Sequence, residues 1–442
     1  MRHYNLKLII FALISILGQN AGCQASSIDI ISYDIKANLD LPNALLHVTA
    51  RLEFQKADSL NEFEMLLTSD AKIRSIKSKV NHAWVDVPYE FTGKDTLRLA
   101  VPSELISTGK PIIDFEYTLP IGEFKSKDDA IILYRGNRWY PLIVDQIARF
   151  KLIAEVPPQY VVFSAGDLVE KKKLSDYSQF IWESKIPVFK LPLIIAKSEL
   201  YAETVKNIDH KKIYLYSSTV DEKTKEEIIS EAGRTLKFYN KLIGEYPHDR
   251  LTLIEIPELQ GTNIGSALLI VGSDFIDAFK KGHYENLHLS IGTQWIAAGV
   301  FFKLFDKGFW FLQLSLPHYL RLMYLEQTKG EDAFFKGLQQ GLDAYKEIAG
   351  TDKDVPIIDV DFPNTREKGT VIYGKGPYVI DKVHREIGDE NWEKLIKDIY
   401  KGFKGRIFTY DEFIKYLSKY DQDGTCVLKL EKMVSQTGIP KD

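Results

Sequence analysis

The chain has 442 residues, of which 45% are hydrophobic and 27% are charged, and its formal net charge at pH 7 is −4. This length predicts two or three domains with an ample hydrophobic core. The composition is typical of a globular protein and excludes a largely disordered one. The net negative charge does not favour a nucleic-acid partner, because such partners require a basic face.

The first 25 residues have the form of a signal peptide. A basic start precedes the apolar run Leu8–Leu17, which is too short to span a bilayer, and small residues suited to cleavage follow it. Cys23 follows Ala-Gly, as in the cleavage box of bacterial lipoproteins, although Asn20 stands where that box usually has Leu. We expect an exported protein that is periplasmic, cell-surface or secreted. Lipidation of Cys23 and simple secretion with a free thiol both stay open.

Residues 26–205 alternate apolar and polar side chains in short runs separated by turn signals. Leu45–Phe54, Thr96–Pro102 and Pro111–Leu119 are examples. Period-two alternation at this density predicts an antiparallel, sandwich-like β-domain.

Residues 206–442 have a different pattern, which predicts a second, mostly helical domain. Asp221–Gly244 has helical spacing with acids early and a glycine at its end, whereas Arg250–Pro257 has the pattern of a strand. Further helices are predicted at about 285–304, 309–328, 331–349, 373–387, 391–401 and 410–419. The predicted fold class is therefore α+β with two domains, and the boundary near residue 205 is a change of composition without a flexible linker.

Three segments in the same chain order resemble motifs of one enzyme family. They are Asn137–Leu168 with "WYP", Phe238–Ile270 with "PELQGTNIGSALLI", and Val371–Ile399 with "YGKG". They resemble the zinc aminopeptidases of the aminopeptidase N and leukotriene hydrolase type. This resemblance covers most of residues 30–420 and implies that the second domain is thermolysin-like. Ligand pockets favour domain interfaces, so we expect the main cleft between the two domains.

The zinc-binding helix of that family carries HExxH, which places two histidines on one helical face and a glutamate as general base between them. In this chain the pair Gln294-Trp295 is similar to the residues that follow the motif. The five motif positions then fall on Leu289, Ser290, Ile291, Gly292 and Thr293. None of these residues is a histidine or a glutamate, so the resemblance implies that the zinc-binding and catalytic motif is lost.

The family's third zinc ligand is a glutamate on the next helix. Residues 307–325 contain no acid, and the plausible equivalents are Leu312, Gln313 and Leu314. The family segment whose glutamate grips the substrate amine falls on Gly261–Gly265, which also has no carboxylate. Tyr373 matches the family tyrosine that stabilises the oxyanion, and its alternative role is simple packing with its hydroxyl satisfied. The expected binding cleft comprises Gly261, Thr262, Asn263, Ile264, Gly265, Gln294 and Tyr373.

Two functions stay open. The first is an exported, zinc-less relative of the aminopeptidases, without a cofactor, that acts as a non-catalytic peptide-binding, protein-binding or scaffold protein. The second is an active metallopeptidase with a displaced metal site, for which Glu285, His288 and His318 are the candidate ligands. We expect a peptide or protein in the inter-domain cleft, no nucleic acid, and membrane contact only through the signal peptide or a lipid on Cys23.

Overall fold

A computed structural model describes residues 29–55, 62–80, 83–101, 111–126 and 130–440. It has the predicted two-domain α+β fold, with a strand-rich domain followed by a helical one. The expected signal peptide and Cys23 lie outside the described residues. In the part of the chain that the structure describes, no helix is both long enough and apolar enough to cross a membrane.

The strand-rich domain is built on an eight-stranded sheet with the order β12-β13-β10-β1-β2-β8-β4-β5. Buried and exposed residues alternate along its strands, as the sequence pattern predicts. One ladder departs from the predicted antiparallel arrangement, since β1 and β10 pair in parallel. Alternation shows which side chains face the core but carries no information about strand direction. The strands of this sheet are β1 (Ile30–Asp40), β2 (Leu45–Phe54), β4 (Lys72–Val80), β5 (Ala83–Asp86), β8 (Ile112–Pro120), β10 (Arg149–Val156), β12 (Asp167–Lys173) and β13 (Ser178–Glu183).

Two smaller sheets complete this domain, with the orders β3-β7-β6 and β11-β14-β9. Their strands are β3 (Glu62–Leu66), β6 (Tyr89–Gly93), β7 (Thr96–Ala100), β9 (Ile131–Leu133), β11 (Tyr160–Ser164) and β14 (Leu193–Lys197). The segment between β13 and β14 matters for the site described below, because it reaches the second domain.

The second domain opens with a five-stranded sheet in the order β15-β16-β17-β19-β18. Its strands are β15 (Ala202–Ile208), β16 (Lys211–Ser217), β17 (Arg250–Glu255), β18 (Thr262–Gly265) and β19 (Leu268–Val271). The predicted boundary at residue 205 therefore lies inside β15. The prediction depended on the first helical signal, and β15 carries none, although it pairs with β16 along its whole length.

Helices form the rest of the second domain. They are α1 (Glu222–Leu242), α2 (Ser273–Lys280), α3 (Glu285–Gly292), α4 (Leu316–Lys329), α5 (Glu331–Lys346), α6 (Arg366–Thr370), α7 (Gly376–Ile387), α8 (Asp389–Phe403), α9 (Tyr410–Leu417) and α10 (Thr425–Ser435). The side chain of Asp221 accepts a hydrogen bond from Thr224 N and so caps α1. The sequence patterns did not predict α2 or α10. A short parallel pair, β20 (Phe301–Phe302) and β21 (Ile407–Phe408), lies among the helices.

The predicted helix 285–304 is wrong beyond its first two turns, because α3 ends at Gly292. The chain then folds back, with Val300 N donating to Trp295 O and Ala297 N donating to Val300 O. Gly299 permits this turn, since a Cβ there would lie 2.6 Å from Trp295 O. The segment is buried on nearly every side, so its apolar residues do not distinguish a helix from a compact turn.

Two π-helical turns occupy equivalent positions in neighbouring helices. Phe311–Ser315 leads into α4 and Val371–Lys375 leads into α7, and each following helix has a proline as its second residue. Proline lacks the N–H that an α-helix would use there, and π-turns are frequent at functional sites. The turns touch, since Ser315 Oγ donates to Ile372 O at 2.7 Å.

An apolar core joins the two domains. The sheet β11-β14-β9 contributes residues such as Phe163 and Ile194, and the five-stranded sheet contributes Ile254 and Ile270. A backbone hydrogen bond from Gly166 N to Ser266 O, 2.8 Å long, also crosses the junction. The walls of the cleft are therefore held in one arrangement by core packing.

Candidate functional site

A cavity of about 130 Å³ lies at the junction of the two domains. The helical domain supplies β18, one side of α3, the turn after α3 and both π-turns. The strand-rich domain supplies Phe189 and Lys190 from the segment between β13 and β14. The cavity therefore lies between the two domains, where the main cleft is expected.

Three of the aligned motif positions, Leu289, Ser290 and Thr293, lie on the cavity wall. Thr293 N donates to Leu289 O at 3.0 Å, so one helical turn still separates these residues although α3 has just ended. Thr293 Oγ1 donates to Ser290 O at 2.7 Å. This wall presents a leucine side chain, two hydroxyl groups and no ionisable group.

The two π-turns form another part of the wall. Gln313 and Leu314 line the cavity with Tyr373, whereas Leu312 is 1% exposed and packs into the core. Leu312 is therefore not a cavity residue, whereas Gln313 and Leu314 line the same cavity as Leu289. In a π-turn the backbone hydrogen bonds join residues five apart instead of four. The residues that share a face therefore differ from those of a regular α-helix.

Tyr373 is half-buried, and burial raises the pKa of its hydroxyl well above the usual range. Its ring packs against His318 with the centroids 5.6 Å apart. Among the described residues the hydroxyl has no hydrogen-bond partner. Tyr373 therefore brings a neutral hydroxyl group to the cavity.

The predicted cleft strand lies on the wall through Gly261, Thr262, Ile264 and Gly265. Asn263 does not line the cavity, because side chains alternate along β18.

Gln294, also predicted in the cleft, is buried, and its side chain forms hydrogen bonds to the hairpin of β18 and β19. Its Oε1 accepts from Ala267 N at 2.8 Å, and its Nε2 donates to Gly265 O at 3.0 Å. Ala267 has a positive φ of 61°, so its turn benefits from this outside support. Gln294 thus fixes the strand that lines the cavity without reaching it.

The side chains that line the cavity do not fit the zinc ion of the family that the sequence resembles. Among the described residues that line it there is no Asp, Glu, His or Cys. Structural and catalytic zinc sites use at least three such ligands.

The displaced metal site predicted as an alternative is not formed. In the ranges that the structure describes, no three His, Cys, Asp or Glu side chains, Glu285, His288 and His318 included, form a group that could hold a metal. His288 Nε2 lies 2.7 Å from Glu231 Oε1 on α1 instead. His318 lies beside Arg321, and burial together with that cation lowers the pKa of His318 well below its usual range.

Lys190 is a cavity residue that the sequence did not reveal. Burial, with the nearby charge of Arg135, lowers the pKa of its ammonium group to about 8. No described residue forms a hydrogen bond or a salt bridge with it. It comes from the other domain, in a segment without a recognisable motif, so no local signal could have placed it here.

Arg135 holds the segment that carries Lys190. Its guanidinium group donates to the carbonyls of Phe189 and Val144 and, at 2.9 Å, to that of Ile143. It also lies over the Phe189 ring, 3.8 Å from the centroid. Arg135 is therefore engaged with main-chain oxygens and aromatic carbon, and it orients the chain just before Lys190.

No protein-family model matches this chain, and no curated protein matches it either. Solved structures do. A two-domain M1 zinc metallopeptidase mutant bound to L-arginine has a TM-score of 0.74 at 15% identity, covering 95% of this chain and 96% of that one. The M1 zinc metallopeptidase from Deinococcus radiodurans, and its mutant bound to a Tyr-Ser-Ala substrate, each have a TM-score of 0.73 at 15% identity, covering 97% of this chain and 98% of theirs. The chain therefore has the two-domain fold of M1 zinc metallopeptidases.

Proposed function

We propose that this protein is an exported, zinc-less relative of the aminopeptidase N type peptidases that binds a peptide or protein segment without cleaving it. The observation that carries this proposal is the cavity wall. Leu289, Ser290 and Thr293 fall on the positions that the resemblance gives to the two histidines and the base, and Leu314 is one of its candidate positions for the third ligand. Leucine has no lone pair and a hydroxyl is a weak ligand, so such a wall cannot offset the dehydration of a divalent cation.

Two features of the cavity suit a bound peptide. β18 is at the edge of the five-stranded sheet as described, and an edge strand can pair with an extended segment. Tyr373 offers a hydroxyl group that can donate to a peptide carbonyl. Binding without cleavage requires no metal ligand and no general base in the cavity wall.

Metal content and turnover test the proposal. Elemental analysis of the purified protein should find far less than one zinc per chain, and aminoacyl anilides should be hydrolysed no faster than in buffer. Stoichiometric zinc, together with hydrolysis that a chelator abolishes and zinc restores, would overturn the proposal in favour of an active metallopeptidase.

Export is a separate part of the proposal with its own test. Mass spectrometry of the protein from its native host should find a mature N-terminus near Cys23. A diacylglycerol adduct on Cys23 would establish a membrane-anchored form, and its absence a released form. A cytoplasmic chain that keeps Met1 would contradict export.

A further inference from the structure

The cavity has an uneven distribution of charge. Its described lining contains one cationic side chain, Lys190, and no carboxylate. The charge that acts on Lys190 is that of another cation, Arg135. A site built for a peptide amine would need the opposite sign, since an ammonium ligand is stabilised by nearby acids and repelled by cations.

Lys190 is also costly where it lies. Lys190 is partly buried, and an ammonium group that is partly withdrawn from water without a partner disfavours the folded state. Residues that cost stability without an evident structural gain are found at functional sites. Among the described residues nothing provides that gain, because Lys190 makes no hydrogen bond or salt bridge.

We infer that the cavity binds an apolar group that carries a carboxylate, with Lys190 as its counter-ion. Charge complementarity favours this ligand, since a carboxylate supplies the partner that Lys190 lacks and accepts charge-assisted hydrogen bonds from its ammonium group. The apolar part would pack against Leu289, Leu314 and Phe189, which line the same cavity.

The size of the cavity limits the apolar part to about one side chain. Its volume of about 130 Å³ is close to that of an engineered cavity of about 150 Å³ that holds benzene. The C-terminal residue of a peptide that ends in phenylalanine or leucine fits this description, and so does a small free acid such as phenylpropionate. This inference deepens the proposed function and rests on it for the peptide as source of the carboxylate.

Isothermal titration calorimetry at neutral pH and low salt tests the inference. The probes are phenylpropionate, phenylpropionamide and phenethylamine, followed by N-acetyl-Ala-Ala-Phe with a free or an amidated C-terminus. The free acids should bind about tenfold or more tightly than the amides, and the amine should bind most weakly. Lys190→Met should abolish the preference for the acids, and Lys190→Arg should retain it.

Lys303→Met is the matched control, because Lys303 is exposed and adjoins two cavity residues in sequence. It should change neither affinity nor preference. Equal binding of acid and amide would overturn the inference while leaving peptide binding intact. Acid-selective binding of phenylpropionate without any peptide binding would support Lys190 as a counter-ion and contradict the peptide function. An acid preference that survives in Lys190→Met would overturn the role of Lys190.

Discussion

Two regions on different sides of α3 differ in whether their charged side chains have partners. On one side, Glu231 accepts hydrogen bonds from His288 and Tyr324 and forms a salt bridge with Arg234. On the other side, Leu289, which follows His288 in α3, lines a cavity whose described lining has one lysine and no acid. The first region, which we call the Glu231 cluster, satisfies its charges internally, and the cavity leaves its charge without a partner.

This difference separates structural polar groups from groups that are available to a ligand. A buried carboxylate with three donors is stabilised where it is and has little capacity left for chemistry. A cation that lies in an apolar wall without a counter-ion gains when a ligand brings one. Residue types alone would have favoured the Glu231 cluster as the site, since it contains the histidine and the glutamate.

The largest effect is expected in the Glu231 cluster. Glu231→Gln replaces a buried carboxylate that accepts hydrogen bonds from His288 and Tyr324 with a neutral amide, and losing such charge-assisted hydrogen bonds costs about 3 kcal/mol. Chemical denaturation should show this loss in the free energy of unfolding. Glu227→Gln is the control, because Glu227 is exposed on the same helix, and it should leave stability unchanged. A loss of stability no larger than that of the control would show that the cluster is not structural.

The same cluster should govern acid stability. Burial by itself raises the pKa of Glu231, but hydrogen bonds from His288, Arg234 and Tyr324 outweigh burial and lower that pKa from 4.5 to about 2. A depressed pKa stabilises the fold fully above the unfolded pKa and progressively less as pH falls toward the folded one. Stability should therefore fall between about pH 4.5 and pH 2, and Glu231→Gln should flatten this part of the profile.

An intermediate effect is expected where α3 packs on α1. A Cβ at Gly292 would lie 2.6 Å from the Tyr239 ring, which is buried. Gly292→Ala should therefore destabilise the protein by about 2 kcal/mol through overpacking. Gly337→Ala is the control, since the added Cβ would meet the flexible end of Leu322 and alanine favours α5. Equal stability of the two variants in thermal unfolding would contradict the packing of α3 on α1.

A smaller effect is expected on the cavity side, as a pH dependence of binding. Lys190 has a pKa of about 8 in the free protein, and a carboxylate ligand favours its charged form. The affinity for phenylpropionate should be constant below that pH and fall by about tenfold, equivalent to about 1.4 kcal/mol, as pH rises above it. Arginine side chains such as Arg135 are not deprotonated in proteins, and burial raises the pKa of Tyr373, so its hydroxyl stays neutral in this range. Lys190→Arg should remove the fall, and an unchanged profile in that variant would contradict the assignment.

No effect on zinc content or hydrolysis is expected from placing the family's motif on α3 alone. Leu289→His, Ser290→Glu and Thr293→His together supply two ligands and a base, but the described cavity lining, Leu314 included, offers no third ligand. This triple variant should hold far less than one zinc per chain and hydrolyse no anilide. Adding Leu314→Glu should raise the zinc content toward one per chain. Stoichiometric zinc in the triple variant would show that the cavity already supplies another ligand.

Sequence was sufficient for the features that repeat locally or match a motif. Alternation located β2, β7 and β8 to within two residues, and helical spacing located α1. The aligned motif also placed Leu289, Thr293 and Tyr373 on one cavity, although they are far apart in the chain. These successes share a cause, since side-chain periodicity and motif order survive at low sequence identity.

Only the tertiary structure decided where α3 ends and which charge enters the cavity. Gly292 lets α3 pack closely against Tyr239, and Gly299 lets the chain turn back past the Trp295 carbonyl after α3 has ended. Lys190 lines the cavity because Arg135 and the inter-domain core bring its segment there. Steric room and the absence or presence of a counter-ion depend on residues distant in the chain, and a local pattern carries no information about either.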